Sequence, residues 1–110
     1  MTTDFYFLFG HEIVPCDAFT WGMWHGMSNC VISRDEVGEV IVSTIFLGLN
    51  RESDPDSPPL VFETMVFGGS YGDYQERYTT YTQAEAGHRR IVEMISEDDD
   101  SVLDAEFIWA

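Results

Sequence analysis

Six side chains of this sequence are of the types that bind metal ions or take part in acid–base and nucleophilic chemistry. No pair of them has the C-x2-C or H-E-x-x-H spacing from which zinc sites are typically built. The H-E-x3-C stretch could coordinate a metal only if the chain folded back on itself. The spacing therefore predicts no metal and no cofactor, and favours surface histidines and small buried thiols. The six residues are His11, Glu12, Cys16, His25, Cys30 and His88.

A cysteine–histidine enzyme would also need a thiol with a lowered pKa. The chain has 20 acidic residues against 5 basic ones, a formal net charge of −15, and all five basic residues are arginines. Nearby negative charge raises the pKa of a thiol and therefore disfavours a reactive thiolate. We therefore expect no catalytic residue. Two cysteines without a recognisable secretion signal favour reduced thiols in a cytoplasm.

One polar cluster is conceivable between a helix and a sheet. Glu63 interrupts an otherwise apolar strand, and His88 lies on the apolar face of a predicted helix. With Arg77 these two side chains could form a functional cluster. The alternative is a solvated Glu63 and a packed His88 whose ring hydrogen-bonds to the backbone or to Tyr78.

Hydrophobic periodicity predicts the elements that position these side chains. The stretch Glu39–Gly69 has two arms rich in Val, Ile, Phe and Thr around an acidic, proline-rich loop at 50–59, which predicts a central antiparallel hairpin. Ser33–Gly38 is interpreted as a polar turn, and the acidic run from Glu97 is expected to end the preceding helix. The other predicted elements are strands at Phe5–Phe9, Glu12–Val14, Tyr74–Thr80 and Val102–Trp109, and helices at Asp17–Asn29 and Gln83–Ser96.

Together these elements predict one α+β domain over residues 1–110. We expect a single antiparallel sheet of four to five strands with one or two helices packed on one face. In the first helix the i, i+4, i+8 spacing favours Phe19 and Met23 as core residues. At least one of Trp21 and Trp24 is expected to be exposed.

The charge also restricts the possible partners. A surface this acidic repels phosphate backbones, so we expect no direct nucleic-acid binding, and it attracts a protein with a basic surface. A simpler interpretation is that the surplus carboxylates keep the protein soluble. No apolar run is long enough to cross a bilayer. We expect acidic clusters to steer association and tryptophans to anchor it. The predicted partner-binding residues are Trp21, Trp24, Asp54, Asp56, Glu97, Asp98, Asp99, Asp100 and Trp109.

Three segments of the sequence carry a resemblance. VSTIFLGLN, PPLVFETMVFGG and QERYTTYTQAEAGH, within Glu39–Glu93, resemble small acidic proteins encoded by phages and prophages. The match is most specific at Phe62–Gly69 and Ala84–His88, and the first 38 residues match less clearly. That group has no assigned biochemical activity. The resemblance implies a phage gene product in a bacterial cytoplasm.

The function expected from charge and resemblance is binding. We expect a phage accessory protein that binds and inhibits a host protein with a basic surface, for example an anti-CRISPR or anti-restriction inhibitor that mimics nucleic acid. One alternative is a small enzyme or metal-dependent protein that uses His, Cys and Glu residues. Another is a homodimeric module that pairs an edge strand such as Tyr74–Thr80 or Val102–Trp109.

Overall fold

The computed structural model describes residues 4–108, and describes side chains for residues 4–97. The fold is α+β, as predicted, with a two-stranded sheet and a four-stranded antiparallel sheet. The strands of the small sheet are β1 and β2, and those of the large sheet follow the order β3-β4-β5-β6. The elements are β1 (Phe5–Phe9), β2 (Glu12–Cys16), α1 (Ala18–Met27), β3 (Val31–Val37), β4 (Val40–Phe46), β5 (Phe62–Phe67), β6 (Gln75–Tyr78) and α2 (Tyr81–Ile108).

The predicted central hairpin forms the middle of the large sheet. Its arms, β4 and β5, pair antiparallel with Thr44 opposite Thr64, and the acidic stretch between them is a loop. Alternate residues of β4 are buried, which is the period-2 pattern of a strand covered on one face. The strand predicted at Tyr74–Thr80 is confirmed as β6, which pairs with β5.

The segment predicted as a turn at Ser33–Gly38 is instead most of β3. It pairs antiparallel with β4, and the reversal falls at Gly38, whose φ of 60° is in the left-handed region. Charged side chains suit β3 because it is an edge strand, where charge limits pairing with other chains. The polar composition of this segment was therefore mistaken for turn chemistry.

Helix α2 covers one face of the large sheet and contacts all four of its strands. Its buried side chains, Ala84, His88, Ile91 and Ile95, follow the helical period. Helix α2 begins with a capping box formed by Thr80 and Gln83. The Gln83 amide donates to Thr80 Oγ1 at 3.0 Å, and the Thr80 amide donates to Gln83 Oε1 at 3.1 Å.

The predicted terminal strand at Val102–Trp109 is wrong, since α2 continues to Ile108. The acidic run from Glu97 is also part of α2, so it does not end the helix as predicted. Extending an established helix adds one hydrogen bond for each residue that is fixed, and this outweighs the modest unfavourable dipole term. Trp109 lies outside the described residues.

Helix α1 does not join α2 on the large sheet. It begins after its N-cap residue, Asp17, whose carboxylate accepts a hydrogen bond from the Thr20 amide at 2.7 Å. The strand with which it makes most of its contacts is β1, so α1 packs mainly on the small hairpin. The Trp21 indole donates to the Leu47 carbonyl at 3.2 Å, and the Trp24 ring meets Phe46 edge-on at 5.6 Å.

Backbone hydrogen bonds join this N-terminal unit to the sheet. The Tyr6 amide donates to the Gly48 carbonyl at 2.8 Å, and the Asn50 amide donates to the Asp4 carbonyl at 2.9 Å. Gly48 has a φ of +71°, and a Cβ there would collide with the Trp21 indole. Only glycine therefore suits this junction.

Candidate functional site

A chain of hydrogen-bonded side chains runs under α2 from one edge of the large sheet to the other. His88, only 3% exposed, has its Nε2 2.7 Å from Asp35 Oδ2 and its Nδ1 2.7 Å from Thr44 Oγ1. The Thr44 and Thr64 hydroxyls are hydrogen-bonded to each other, and the Tyr78 hydroxyl donates to Thr64 Oγ1 at 3.0 Å. Each of the four strands thus contributes one side chain, and α2 contributes the histidine.

The protons of this chain can be placed in one consistent order. The Asp35 carboxylate accepts, so His88 Nε2 carries a hydrogen and donates. Thr44 then donates to His88 Nδ1, Thr64 donates to Thr44, and Tyr78 donates to Thr64. No buried polar side-chain atom among the described residues lacks a partner. The hydrogen-bonding groups of this chain are therefore all paired, and the chain holds α2 in register over the sheet.

The order carboxylate, imidazole, hydroxyl resembles that of a hydrolase triad, with Asp35, His88 and Thr44 in the three positions. A nucleophile must reach its substrate, however, and Thr44 has no exposed surface. In the arrangement observed, the Thr44 hydroxyl is instead hydrogen-bonded to His88 and Thr64 inside the protein. Asp35, half-exposed on the edge strand, is the member of the chain that meets solvent.

The sequence singled out His88 and named Tyr78 as a possible partner of its ring, but it did not indicate Asp35, Thr44 or Thr64. Tyr78 is linked to His88 only through the two threonines. The signal available was a threonine at matching positions in the two arms of the hairpin, each within an otherwise apolar row.

The predicted cluster of Glu63, Arg77 and His88 does not form as a unit. Glu63 and Arg77 pair across β5 and β6, with Arg77 Nε 3.3 Å from Glu63 Oε1. Successive side chains of a strand point to opposite faces, so Glu63 lies on the other side of the sheet from Thr64 and from His88. Two of the three predicted members, Glu63 and Arg77, are therefore in contact, but the sequence did not indicate which face of the sheet Glu63 occupies.

Tyr78 fits beneath α2 because of a glycine. A Cβ at Gly87 would lie within the Tyr78 ring and hydroxyl. The small residue therefore lets helix and sheet approach closely enough for the tyrosine to reach Thr64. Burial raises the pKa of Tyr78 above its ordinary value, so the phenol stays protonated and remains a donor.

The two cysteines are free. Burial raises the pKa of the Cys16 thiol, with a smaller contribution from the charge of Asp17, and burial alone raises the pKa of Cys30. Neither thiol is activated as a nucleophile. Among the residues that the structure describes, no group of three or more His, Cys, Asp or Glu side chains is placed to hold a metal ion.

Helix α1 presents an apolar surface to solvent, contrary to the predicted core role of Phe19 and Met23. These two side chains are 78% and 55% exposed, Met27 is 82% exposed, and α1 has no buried residue. Trp21 and Trp24 point the other way and are half-buried. The three exposed residues line one groove with Trp24, and we call them the α1 row.

Gly22 and Gly26 lie beside the α1 row, four residues apart. A Cβ built on either of them meets no atom within 4 Å. The helix surface is therefore a ridge of large side chains next to a shallow groove, both open to solvent.

The predicted acidic residues of the 50–59 loop are exposed. Asp54 also orders the loop, since its carboxylate accepts from the Asp56 amide and the Ser57 hydroxyl, both at 3.0 Å. Glu97 is exposed at the end of the part of α2 whose side chains are described. Its neighbours, Asp98, Asp99 and Asp100, belong to α2, but their side chains fall outside the described part.

Comparisons with protein families, with curated proteins and with solved structures find no match to this chain. No helix within the described residues is both long and apolar enough to span a membrane.

Proposed function

We propose that this protein is a phage accessory protein that binds a host protein with a basic surface, and that the α1 row is its anchor. The observation that carries the proposal is the exposure of Phe19, Met23 and Met27 on a helix without a buried residue. Large apolar and aromatic side chains are enriched at the centres of protein interfaces. Met in particular adapts to partners of different shape.

The charge of the chain supplies the second half of the proposal. The net charge is −15, while α1 itself contains no acidic or basic residue other than His25. The acidic surface would attract a basic partner over a long range, and the uncharged apolar α1 row would then be buried in the contact. Repulsion of the anionic phosphate backbone favours a protein as the partner over nucleic acid itself.

The setting is the cytoplasm of a bacterial host, as the resemblance to phage and prophage proteins implies. The action we propose is inhibition by occupation of a basic surface. A nucleic-acid-handling defence complex of the CRISPR or restriction type is the partner class that this charge suits best.

The test is affinity capture from host lysate with the immobilised chain, in parallel with Phe19→Ser. Phe9→Ser is a matched control, because Phe9 is 74% exposed but lies at the end of β1. We expect a specific partner that is retained by the wild type and by Phe9→Ser and is lost with Phe19→Ser.

A salt series on the captured complex tests the electrostatic half. Association steered by opposite charges weakens as salt rises, because the Debye length falls to about 3 Å at 1 M. A partner held equally at low and high salt would refute the electrostatic contribution. A partner retained equally by Phe19→Ser would refute the assignment of the anchor.

A further inference from the structure

The large sheet has a second face, opposite α2. Side chains on this face alternate with those of the buried chain, so the strand registers identify them directly. Among the described residues neither helix packs on it, since α1 contacts β1 and α2 lies over the row that includes Thr44 and Thr64. The open face consists of Val31, Arg34 and Glu36 of β3, Ile41, Ser43 and Ile45 of β4, Glu63, Met65 and Phe67 of β5, and Gln75 and Arg77 of β6.

The centre of the open face is apolar. Ile41, Ile45 and Met65 are half-buried by their neighbours, while Val31 and Phe67 are each 48% exposed. Glu63, which pairs with Arg77, is the one buried side chain among the described residues of this face. By contrast, residues on the α2 side of the same strands, such as Val42 and Val66, are fully buried. A strand pair with one sealed face and one open apolar face gains stability by covering the second.

The open face is electrically neutral, in a chain whose net charge is −15. Its two arginines and two glutamates form two ion pairs, Arg34 with Glu36 and Arg77 with Glu63, each at 3.3 Å. The acidic charge that would repel a second copy therefore lies elsewhere on the molecule. Charge thus favours an identical, neutral surface here over the basic partner that suits the rest of the protein.

We infer that a second copy of this chain covers the open face, so that two large sheets pack face to face in a two-fold symmetric dimer. A two-fold axis parallel to the strands and between β4 and β5 places β4 of one copy over β5 of the other. Ser43 and Met65 are directly paired across these strands, as are Ile41 and Phe67. Under this symmetry the large Met65 lies against the small Ser43, and Phe67 lies against Ile41.

The dimer differs from the partner complex in its response to salt. Two copies that each carry −15 repel at long range, while the contact itself is neutral. Screening this repulsion strengthens the dimer. Salt therefore acts on the dimer in the opposite direction from its action on a complex with a basic protein.

Sedimentation equilibrium of the purified chain tests the inference over a range of protein and salt concentrations. We expect the mass to approach twice that of the monomer, with tighter association at higher salt. Ser43→Glu places a carboxylate at the centre of the contact, and we expect it to weaken the dimer by more than about a hundredfold, since the charge would be buried against Met65 of the other copy without a partner. Phe67→Glu, at an exposed position, should weaken it as well.

Phe19→Glu in α1 is the matched control and should leave the dimer unchanged. Circular dichroism shows whether each variant is folded, and Phe67→Glu keeps the test open if Ser43→Glu fails to fold. A mass that stays monomeric in the wild type at every salt concentration would overturn the inference. So would a dimer that survives Phe67→Glu in full or is lost with Phe19→Glu.

Discussion

The two helices of this protein differ in which of their apolar residues are covered. Helix α1 contains no acidic residue and no basic residue other than His25, and it buries none of its side chains. The charged helix α2 buries four of the side chains that the structure describes. The apolar residues of α2 share one stripe that matches the face of the sheet. Those of α1 point in several directions, so packing Trp21 and Trp24 leaves the α1 row outside. Periodicity, rather than total hydrophobicity, decides which helix becomes core.

The largest test of this contrast compares one apolar residue from each helix. Ile91 of α2 has no exposed surface, so Ile91→Ala leaves a cavity and should lower the free energy of unfolding by about 2–5 kcal/mol. Met27→Ala in α1 should change it by less than about 0.5 kcal/mol, because Met27 is exposed. Urea unfolding measures both values. Similar losses in the two variants would contradict the assigned roles.

A pair of glycines should respond with opposite signs. Gly87→Ala drives a methyl group into the Tyr78 ring, and we expect it to destabilise the fold by about 3 kcal/mol. Gly22→Ala meets open space, so it should stabilise α1 by up to about 1 kcal/mol through helix propensity. Urea unfolding reports the first effect, and hydrogen exchange of the α1 amides reports the second. A stabilising Gly87→Ala would show that α2 does not approach β6 this closely.

The buried hydrogen-bond chain should make α2 sensitive to a single hydroxyl. Thr44→Val leaves His88 Nδ1 and the Thr64 hydroxyl without their partner, which should cost about 1–3 kcal/mol. The double variant with Thr64→Val should cost less than the sum of the two single changes, because the two residues share one network. Additive losses in this double-mutant cycle would contradict the network.

The smallest expected effect is a loss of stability at alkaline pH. Burial raises the pKa of Tyr78 above 10.0, so above about pH 10 the unfolded phenol ionises while the folded one stays neutral. The unfolded state is then favoured, and stability falls as the pH rises through this range. Tyr6 and both thiols contribute in the same direction, since burial raises their pKa values also.

Tyr78→Phe should therefore reduce the alkaline loss without removing it. Comparing urea unfolding at about pH 8 and about pH 10.5 measures the change for the wild type and the variant. Tyr74→Phe, at an exposed tyrosine whose charge makes the smallest contribution to the raised pKa of Tyr78, is the control and should keep most of the loss. An equal loss in the wild type and in Tyr78→Phe would contradict the raised pKa.

The sequence predicted the parts of the fold that depend on strong local periodicity. The central hairpin, strand β6 and the first half of α2 were predicted because their apolar residues repeat with the period of a strand or a helix. β3 was missed because an edge strand needs little apolar surface. The terminal strand was predicted wrongly because Leu103, Ala105 and Phe107 alternate with acids inside what is a continuing helix.

The candidate sites were harder to predict because they depend on which face a residue occupies. Glu63 and Thr64 are adjacent in sequence, but one belongs to the open face and the other to the buried chain. The exposure of Phe19 depends on where the small hairpin lies, which no local pattern specifies. Asp35 reaches His88 from 53 positions away in the sequence, and only the assembled sheet brings them together.

The backbone junction at Gly48 also bears on how such a protein can change over generations. Two of its contacts are carbonyl-to-amide hydrogen bonds, at Tyr6–Gly48 and Asp4–Asn50, which any sequence in the N-terminal unit can supply. The contacts of Trp21 with Gly48 and of Trp24 with Phe46 depend on side chains, so the α1 residues that can vary without loss of the junction are those that face solvent, the α1 row. A lineage could therefore change the solvent-facing residues of α1 without changing its fold.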